Sequence, residues 1–455
     1  MMELPLSRQA IRKLLASPIQ RRVTAGAGWS LLGAVAAQGS NVAAAIIVAR
    51  SLGQVGLGEF GMITSTVITL GVLAELGLAS TATKYLAELR TSNPDRAGRV
   101  LGLCTAAAAF IGSVVALGLF IATPELASTL LKAPHLVLEL RLSCVLLFLN
   151  GMIATQLGAL YGLERFRTAA LVNVFRGLVS LPLLAIGLWW AGILGAIAAM
   201  TLVAFLTWVL TQAAVLKECA NEGIHISWRD ARTEADTFWQ FSLPAFIASA
   251  LVGPATWLGN ILLVNQVNGY AELGAFNAAN QWRNASLLLP TVLGQTLLPI
   301  LASLLGKGDR ASTRRLVLYS MAASLLVAVP VATALILGSN FIMGLYGPGF
   351  ATYSLVLSFV VTTFVLQALQ MPVGQVIAAS GRMWLGAGLN LGWSLAFIAC
   401  AWLLVRRGMG AVGLALSYVL SYLIHSAWTG WFGARLVRGS ATEPLQGSAG
   451  QLPGG

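Results

Sequence analysis

The residues best suited to chemistry are a few charged side chains that lie within long apolar stretches. Arg283 shares one such segment with three asparagines, Asn277, Asn280 and Asn284. Residues three or four apart share a helix face, so the asparagines are predicted to form a polar stripe. An Arg guanidinium binds phosphate through paired hydrogen bonds. The segment therefore predicts a cavity for phosphate or sugar hydroxyl groups; the alternative is a buried Arg that holds helices together.

Two more charged side chains lie within predicted membrane spans. Arg176 falls about two turns into an apolar run, and Glu75 falls in the segment Leu-Ala-Glu-Leu-Gly. A charge at the bilayer centre costs about 2.5–3.5 kcal/mol on insertion scales, so such residues usually face a cavity or a partner. We expect Arg176 either to contact the substrate or to extend its head group to the inner surface. We expect Glu75 either to bind a coupling cation or to form an ion pair with Arg176.

Several amide side chains also lie in the apolar runs. Gln38 and Asn41 in the first run, and Asn260 in the seventh, are assigned to the same cavity, because equivalent runs of a repeated protein should meet where its halves join. Hydrogen bonds between helices account for the others without any substrate. These are Asn150, Gln156, Asn173, Gln367, Gln370, Gln375 and Asn390.

The remaining reactive residue types show no pattern typical of a catalytic or metal site. No CxxC pair is present, and the cysteines are interpreted as small core residues. The histidines are scattered without metal-ligand spacing, so no metal or other cofactor is expected. The cysteines are Cys104, Cys144, Cys219 and Cys400, and the histidines are His135, His225 and His425.

The chain that carries these residues has the composition of a polytopic membrane protein. Of its 455 residues, 57% are hydrophobic and 10% are charged, whereas soluble domains are about a quarter charged. The apolar runs are continuous rather than alternating, which favours helices over a strand barrel. We predict an all-α protein with about twelve spans of ~20 residues. The spans lie near 27–49, 62–84, 99–122, 142–162, 168–190, 193–216, 240–264, 277–304, 315–338, 351–379, 383–404 and 410–434.

The spans divide into two predicted six-helix lobes, 26–216 and 240–436. Residues 1–25 predict a cytoplasmic amphipathic lead-in, 217–239 a cytoplasmic linker, and 437–455 a disordered tail. The net charge is +12. Most Lys and Arg residues fall on one side of the predicted membrane, which is the usual topology signal rather than a sign of nucleic-acid binding. This bias places both termini in the cytoplasm.

An internal repeat supports the division into two lobes. The stretch Leu-Gly-Gln-Val-Gly-Leu-Gly-Glu-Phe-Gly-Met, which precedes the second span, is repeated in altered form before the eighth span. Parallel repeats of this kind are common in secondary transporters, which hold the substrate near the midplane between the halves. Matched pairs include Glu59 with Glu272, Gly61 with Gly274, Gly77 with Pro290, Asn173 with Asn390 and Leu194 with Met409.

The chain resembles the polysaccharide-biosynthesis flippases of the multidrug/oligosaccharidyl-lipid/polysaccharide exporter superfamily at four motifs. These are Ala-Arg-Ser-Leu-Gly-Gln-Val-Gly-Leu-Gly-Glu-Phe-Gly at 49–61, Leu-Ala-Glu-Leu-Gly-Leu at 73–78, Gly-Leu-Glu-Arg-Phe at 162–166 and Gly-Gln-Thr-Leu-Leu-Pro at 294–299. The resemblance implies two six-helix lobes in a V shape. It also implies a cationic central cavity, a role that Arg283 and Arg176 fit.

The same resemblance implies a function. Such a protein would move an undecaprenyl-diphosphate-linked oligosaccharide from the cytoplasmic to the periplasmic leaflet of the bacterial inner membrane, for surface polysaccharide or exopolysaccharide synthesis. Its expected partners are the polyprenyl-diphosphate oligosaccharide, membrane lipids, and the glycosyltransferases and polymerase of the same pathway.

Two other functions stay open. An ion-coupled multidrug or cation antiporter of the same superfamily would need an acidic pocket, whereas the clear intramembrane charges here are Glu75 and two arginines. A membrane-embedded polysaccharide polymerase or ligase usually carries a large outside loop with catalytic residues, and the longest outside loop here, near 123–141, is short. We therefore expect a transporter rather than an enzyme. Coupling to a proton or sodium gradient is expected, since no nucleotide-binding loop is present.

Overall fold

The described residues form a helical bundle without strands. The computed structural model describes residues 18–227, 234, 246 and 250–438. This confirms the predicted all-α polytopic class, and we call residues 18–227 the first half and 250–438 the second half. The α-helices are α1 (Pro18–Glu75), α2 (Leu78–Leu89), α3 (Pro94–Glu125), α4 (Val137–Gly162), α5 (Phe166–Asn221), α6 (Val252–Val264), α7 (Gly269–Ser286), α8 (Leu288–Gly306), α9 (Arg310–Leu337), α10 (Ser339–Gly344), α11 (Ser354–Ala379), α12 (Met383–Leu404) and α13 (Gly410–Arg438).

The longest helices each contain two spans joined at a glycine. A straight helix of 58 residues, the length of α1, would extend about 87 Å, far beyond a hydrocarbon core of about 30 Å. α1 breaks at Gly53, where φ is 71°, and α5 breaks at Gly192, where φ is 56°. A Cβ on Gly195 would overlap the carbonyl oxygen of Gly187, so α5 folds back on itself at this break.

The membrane-spanning stretches are consistent with the predicted count. Within the described ranges, seven helical stretches are long and apolar enough to cross a membrane. Three of them, within Leu31–Glu75, Phe166–Asn221 and Trp384–Gly433, contain glycine breaks and supply two spans each. The short apolar α6 and the consecutive helices α7 and α8 lie where spans seven and eight were predicted.

The second and eighth spans, predicted at 62–84 and 277–304, are both interrupted. In the second span, Leu76 and Gly77 take positive φ values of 39° and 74° between α1 and α2. In the eighth span, α7 ends and α8 begins around Leu287, just before Pro290. Proline disfavours helical geometry in the residue before it and lacks the N–H that a helix needs. The two breaks fall at positions that the repeat matches, so both halves contain a discontinuous helix.

The segments outside the bundle are partly helical. Of the predicted lead-in, residues 18–25 belong to α1, and residues 1–17 lie outside the described ones. The predicted linker begins as the last turns of α5, and Ser227 then donates to the carbonyl of Gly98 on α3 at 3.4 Å. Further on, the buried carboxylate of Glu234 accepts from Arg96 at 3.0 Å and lies 3.3 Å from Arg99. This part of the linker therefore packs on the first half; the predicted tail beyond residue 438 lies outside the described residues.

The two halves share one hydrophobic core at one end of the bundle. Leu57 and Leu131 of the first half belong to the same buried cluster as Phe276 and Tyr346 of the second half. At the opposite end the cores are separate. One contains Leu86, Leu101 and Leu160 of the first half, and the other contains Leu301, Val317 and Val376 of the second half. Within the described residues, the core shared by the two halves lies at the end that contains Leu57 and Phe276, which we call the closed end.

Candidate functional site

The two copies of the repeated motif pack against each other at the closed end. A Cβ on Gly58 would overlap the carbonyl oxygen of Tyr270, and a Cβ on Gly274 would overlap that of Gln54. Only glycine allows backbones to approach this closely, as in small-residue contacts between membrane helices. Gly58 and Gly274, the second of which is matched in the repeat, are therefore needed where α1 and α7 cross.

Side-chain hydrogen bonds cross between the halves at the same end in a matched way. Arg50, where the first span ends, donates to the Leu345 carbonyl at 2.8 Å. Asn265, where the seventh span ends, donates to the Leu130 carbonyl at 2.8 Å. Each half thus binds the loop between the third and fourth spans of the other half.

The repeated acidic residues of the motif fix these loops. Glu59 accepts from His135 at 2.7 Å within the first half. Glu272 accepts from Tyr353 at 3.0 Å and from the backbone N–H of Ala411 at 2.7 Å within the second half. Because each carboxylate is engaged by a protein donor, we interpret the two acids as structural.

Arg283 is a buried cation that contacts aromatic rings. Its side chain is 9% exposed, and its guanidinium carbon lies 4.8 Å from the centre of the Tyr418 ring. Among the described residues no carboxylate lies within 4.0 Å of it. A buried charge without a counter-ion is costly unless a ligand of opposite charge approaches it. Arg283 is therefore positioned to bind an anion.

Aromatic side chains of three helices form a cluster around Arg283. Tyr418 stacks at 5.6 Å on Phe276, which lies two turns before Arg283 on α7. The ring of Trp393 on α12 lies 5.1 Å from that of Tyr422. The hydroxyl of Tyr422 also hydrogen-bonds to the side-chain amide of Gln367 on α11. Helices α7, α11, α12 and α13 together position the guanidinium inside the second half.

The predicted asparagine stripe faces elsewhere. Asn277 packs on Gly61 of the first half, where a Cβ would overlap its amide nitrogen. Arg283 lies six residues later, about a third of a turn around the helix. Asn280 and Asn284, which are partly buried, complete the stripe on α7. The stripe therefore lies along the boundary between the halves, and Arg283 lies beside it.

Several polar atoms of this helix have no protein partner. The buried Nε of Arg283, Nδ2 of Asn277 and Oδ1 of Asn280 make no hydrogen bond within the described structure. Buried polar groups are almost always hydrogen-bonded. Donors and an acceptor that are concentrated on one helix can therefore serve a polar ligand.

Arg176 and Glu75 lie in the first half and do not form the predicted ion pair. Arg176 is partly buried and donates to Asn150 Oδ1 at 3.4 Å. Among the described residues no carboxylate lies within 4.0 Å of Arg176. Glu75 is the last residue of α1, at the break in the second span. The structure therefore does not bring Arg176 and Arg283 into one cluster; each contacts side chains of its own half.

The other predicted site residues are dispersed. Gln38 accepts from Asn41 at 3.3 Å on the first span. Ser40, between them, packs on Gly177 of α5, so this stretch lies near Arg176. Asn260 is buried on α6.

Two of the amides expected to hydrogen-bond between helices, Gln156 and Gln370, do so in two matched networks, which we call the first-half clamp and the second-half clamp. Each consists of a glutamine on one helix and two consecutive residues on another. The signal was present in the spacing, because each glutamine precedes its two partner residues by 55 and 56 residues. The first-half clamp comprises Gln156, Thr211 and Gln212, and the second-half clamp comprises Gln370, His425 and Ser426.

The fold is that of a transporter superfamily. A multidrug resistance MATE family transporter of the MOP superfamily in an inward-facing conformation matches with a TM-score of 0.74 at 14% identity, over 88% of this chain and 94% of that one. Its outward-facing counterpart matches with a TM-score of 0.69 at 16% identity, over 91% and 95%. These likenesses define the class of fold.

Sequence comparison gives the family. The model of the polysaccharide biosynthesis protein family matches residues 23–305, and the chain belongs to that family. It is also 24% identical over 398 residues to the EPS I polysaccharide export inner membrane protein EpsE of Ralstonia nicotianae, covering 86% of this chain and 89% of that protein. The predicted membership of a polysaccharide-biosynthesis family is confirmed.

Proposed function

We propose that this protein moves a polyprenyl-diphosphate-linked oligosaccharide from the cytoplasmic to the outer leaflet of a bacterial inner membrane. The single observation that carries the proposal is Arg283, a buried guanidinium without a carboxylate partner among the described residues, in a transporter fold of the polysaccharide biosynthesis family. The two phosphates would engage the guanidinium. The polyprenyl chain would stay in lipid, and the sugars would pass along the asparagine stripe.

The mechanism that we infer is alternating access. The halves share a core at the closed end and have separate cores at the other. The Lys and Arg distribution places both termini in the cytoplasm, so the closed end would face outward and the substrate would enter from inside. A gradient of protons or sodium ions would drive the exchange.

This orientation has its own test. A cysteine at Asp309, between α8 and α9, should react with a membrane-impermeant maleimide in inverted vesicles and not in intact cells. A cysteine at Val267, between α6 and α7, should show the opposite behaviour. The reverse result for both sites would overturn the orientation.

A deletion strain tests the transport proposal. Loss of the gene should stop polymer export and leave the lipid-linked oligosaccharide in the cytoplasmic leaflet. Complementation with wild type should restore export, and Arg283→Ala should not, at equal membrane abundance. Normal export with Arg283→Ala would remove Arg283 from the mechanism.

The second candidate is an ion-coupled multidrug or cation antiporter, which the fold neighbours favour because they are multidrug resistance transporters. Glu75, at the break in the second span, is the residue that could take a cation. A drug-susceptibility panel on the deletion strain separates the two functions. Increased sensitivity to cationic drugs with unchanged polymer export would support the antiporter.

A further inference from the structure

His425 lies at a position of the second-half clamp where the first-half clamp has a neutral residue, Thr211. In the first-half clamp, Gln156 Oε1 accepts from Thr211. In the second-half clamp, Gln370 Oε1 lies 2.5 Å from His425 Nδ1. Gln370 follows Gln156 by the same number of residues as His425 follows Thr211. The fold therefore needs only a donor at this position, and threonine supplies one without any titratable group.

The clamp determines which nitrogen of His425 carries the proton in the neutral ring. The amide nitrogen of Gln370 donates to Ser426 Oγ and to the Tyr422 carbonyl, the latter at 3.0 Å. Its Oε1 therefore faces the imidazole, and Nδ1 must be the donor. In a neutral imidazole the other nitrogen is then an acceptor. That Nε2 is buried and has no hydrogen-bond partner within the described structure.

Few titratable groups surround His425. Its own helix carries Tyr418 and Tyr422, and the ring centre of Tyr422 lies 6.2 Å from that of the imidazole. Arg435 and Arg438 lie more than two turns further along the same helix. The neighbouring helices α6 and α11 carry no titratable side chain. The titratable side chains of the other helices packed on α13 are Cys400 on α12, Tyr270, Glu272 and Arg283 on α7, Arg310, Arg314, Arg315 and Tyr319 on α9, and Arg406 and Arg407 on the short π-helical turn Val405–Met409.

The imidazole lies in the same network as Arg283. Tyr418, Tyr422, His425 and Thr429 are spaced three or four residues apart, so they share one face of α13. Arg283 contacts the first of these rings, and Thr429 lies 3.3 Å from His425 Nδ1. Glu272, the acid on α7, is engaged at the closed end by Tyr353 and Ala411. A positive charge on the imidazole would therefore add to that of Arg283, without a carboxylate between them in the described structure.

We propose that His425 is a proton-binding site of the transport cycle, in which Nε2 takes a proton from water and returns it to water as the second half changes conformation. This inference rests on the proposed function and assigns the coupled ion to a residue that the family match does not identify. Histidine within membrane helices is a common proton carrier because it titrates near physiological pH.

Nuclear magnetic resonance tests the site without any transport. His135→Gln and His225→Gln leave His425 as the single histidine in a protein labelled with [15N]histidine. The Nε2 resonance should follow one titration between about pH 4.5 and pH 8, a range around the ordinary value for histidine. A resonance that stays in one protonation state throughout this range would overturn the proposal.

Flipping in reconstituted vesicles tests the coupling. Wild type should change its rate of lipid-linked oligosaccharide flipping by about tenfold over two pH units, the change expected when one group titrates. His425→Thr copies the first-half clamp and keeps the donor to Gln370, so it should fold like wild type and lose this pH response. His225→Thr, which replaces an exposed histidine, should keep the response.

The outcomes separate the two levels of inference. If wild type and His425→Thr flip the substrate with the same pH response, the role of His425 is overturned and the proposed function stays intact. A dependence on a sodium gradient alone would do the same. If wild type does not flip the substrate, the proposed function fails, and the resonance experiment still decides whether His425 binds a proton. His425→Gln provides a second neutral variant if the threonine variant does not fold.

Discussion

The first and second halves of this chain share their scaffold and differ in their polar chemistry. The two glycine-bearing motifs, the loop-binding acids Glu59 and Glu272, and the two glutamine clamps are present in both. By contrast, the repeat places Leu70 opposite Arg283, and the first-half clamp has Thr211 where the second-half clamp has His425. Structural contacts have thus been retained in both copies, and the residues with transport chemistry occur where the copies differ. By this comparison, we propose that the second half binds the anion.

The largest expected effect tests that assignment. Arg283→Ala should lower transport about 100-fold. It removes the cation that is proposed to pair with the diphosphate of the substrate, and losing one partner of a buried, hydrogen-bonded charge pair costs about 2–5 kcal/mol. Arg176→Ala should lower it by about tenfold at most, since Arg176 is only partly buried and its described partner is the neutral amide of Asn150. Polymer export per unit of membrane protein measures both. Equal losses would show that the halves contribute alike.

Adding one methyl group at the crossing of α1 and α7 should disturb the contact between the halves at the closed end. Gly58→Ala and Gly274→Ala each force backbone movement, at a cost of about 1–3 kcal/mol for overpacking. Spin labels at Ser128 and Ala351, both exposed near this end, should then report longer distances. Gly71→Ala is the matched control on α1, because a Cβ there would meet nothing within 4 Å. Unchanged distances in the first two variants would contradict the assigned contact.

The two clamps should differ in stability. Removing the amide by Gln370→Leu takes the acceptor from His425 Nδ1, and a buried unsatisfied group costs about 1–3 kcal/mol. Ser426 still donates to the Tyr422 carbonyl at 2.7 Å. Gln156→Leu should cost less, because Thr211 also donates to the Thr207 carbonyl at 2.9 Å. Thermal unfolding in detergent measures the difference. A larger loss for Gln156→Leu would reverse the comparison.

The smallest expected effects come from mutating the N-terminal caps of α3 and α9, the helices of the third and ninth spans. Asn93 Oδ1 accepts from the Arg96 N–H at 3.0 Å, and Asp309 Oδ1 accepts from the Ser312 N–H at 3.0 Å. Hydrogen bonds from the backbone N–H and the side chain of Ser312 lower the pKa of Asp309 below its ordinary value. Its stabilising effect is therefore complete above that ordinary value and is lost as pH falls through the lowered pKa.

Amide hydrogen exchange measures these caps. Asn93→Ala should speed exchange at Arg96 by about fivefold at neutral pH, which corresponds to a cap of about 1 kcal/mol. Asp309→Asn should leave exchange at Ser312 near wild type at neutral pH and remove its acid dependence. An acid dependence that persists in Asp309→Asn would assign it to another group.

Much of the fold could be predicted from the sequence, because apolar length and loop charge are strong signals in membrane proteins. The all-α class and the repeat followed from the spacing of apolar runs and glycines. The interruption in the second span did not, since Gly77 occurs in a segment that reads as continuously apolar. The extension of α5 into the predicted linker was missed for the opposite reason, because its last turns are polar.

The candidate site could be predicted only in part. Arg283 was identified because a charge in an apolar run is rare, but its separation from the asparagine stripe depends on the rotation of α7. The rings of Tyr418 and Tyr422 were missed because aromatic residues at helical spacing usually indicate an apolar core. His425 became informative only when the structure placed Gln370 against it. That contact depends on packing between α11 and α13, which no local pattern specifies.

The most direct measurement of the central claim is flipping by the purified protein in vesicles of defined lipid. A polyprenyl-diphosphate oligosaccharide placed in one leaflet should become accessible in the other much faster than in protein-free vesicles, and Arg283→Ala should reduce the rate to that background. The same oligosaccharide on a polyprenol without phosphate should not move faster than background. Wild-type flipping at the protein-free rate, or equal flipping of the uncharged lipid, would contradict the claim that a buried cation in the second half carries the diphosphate.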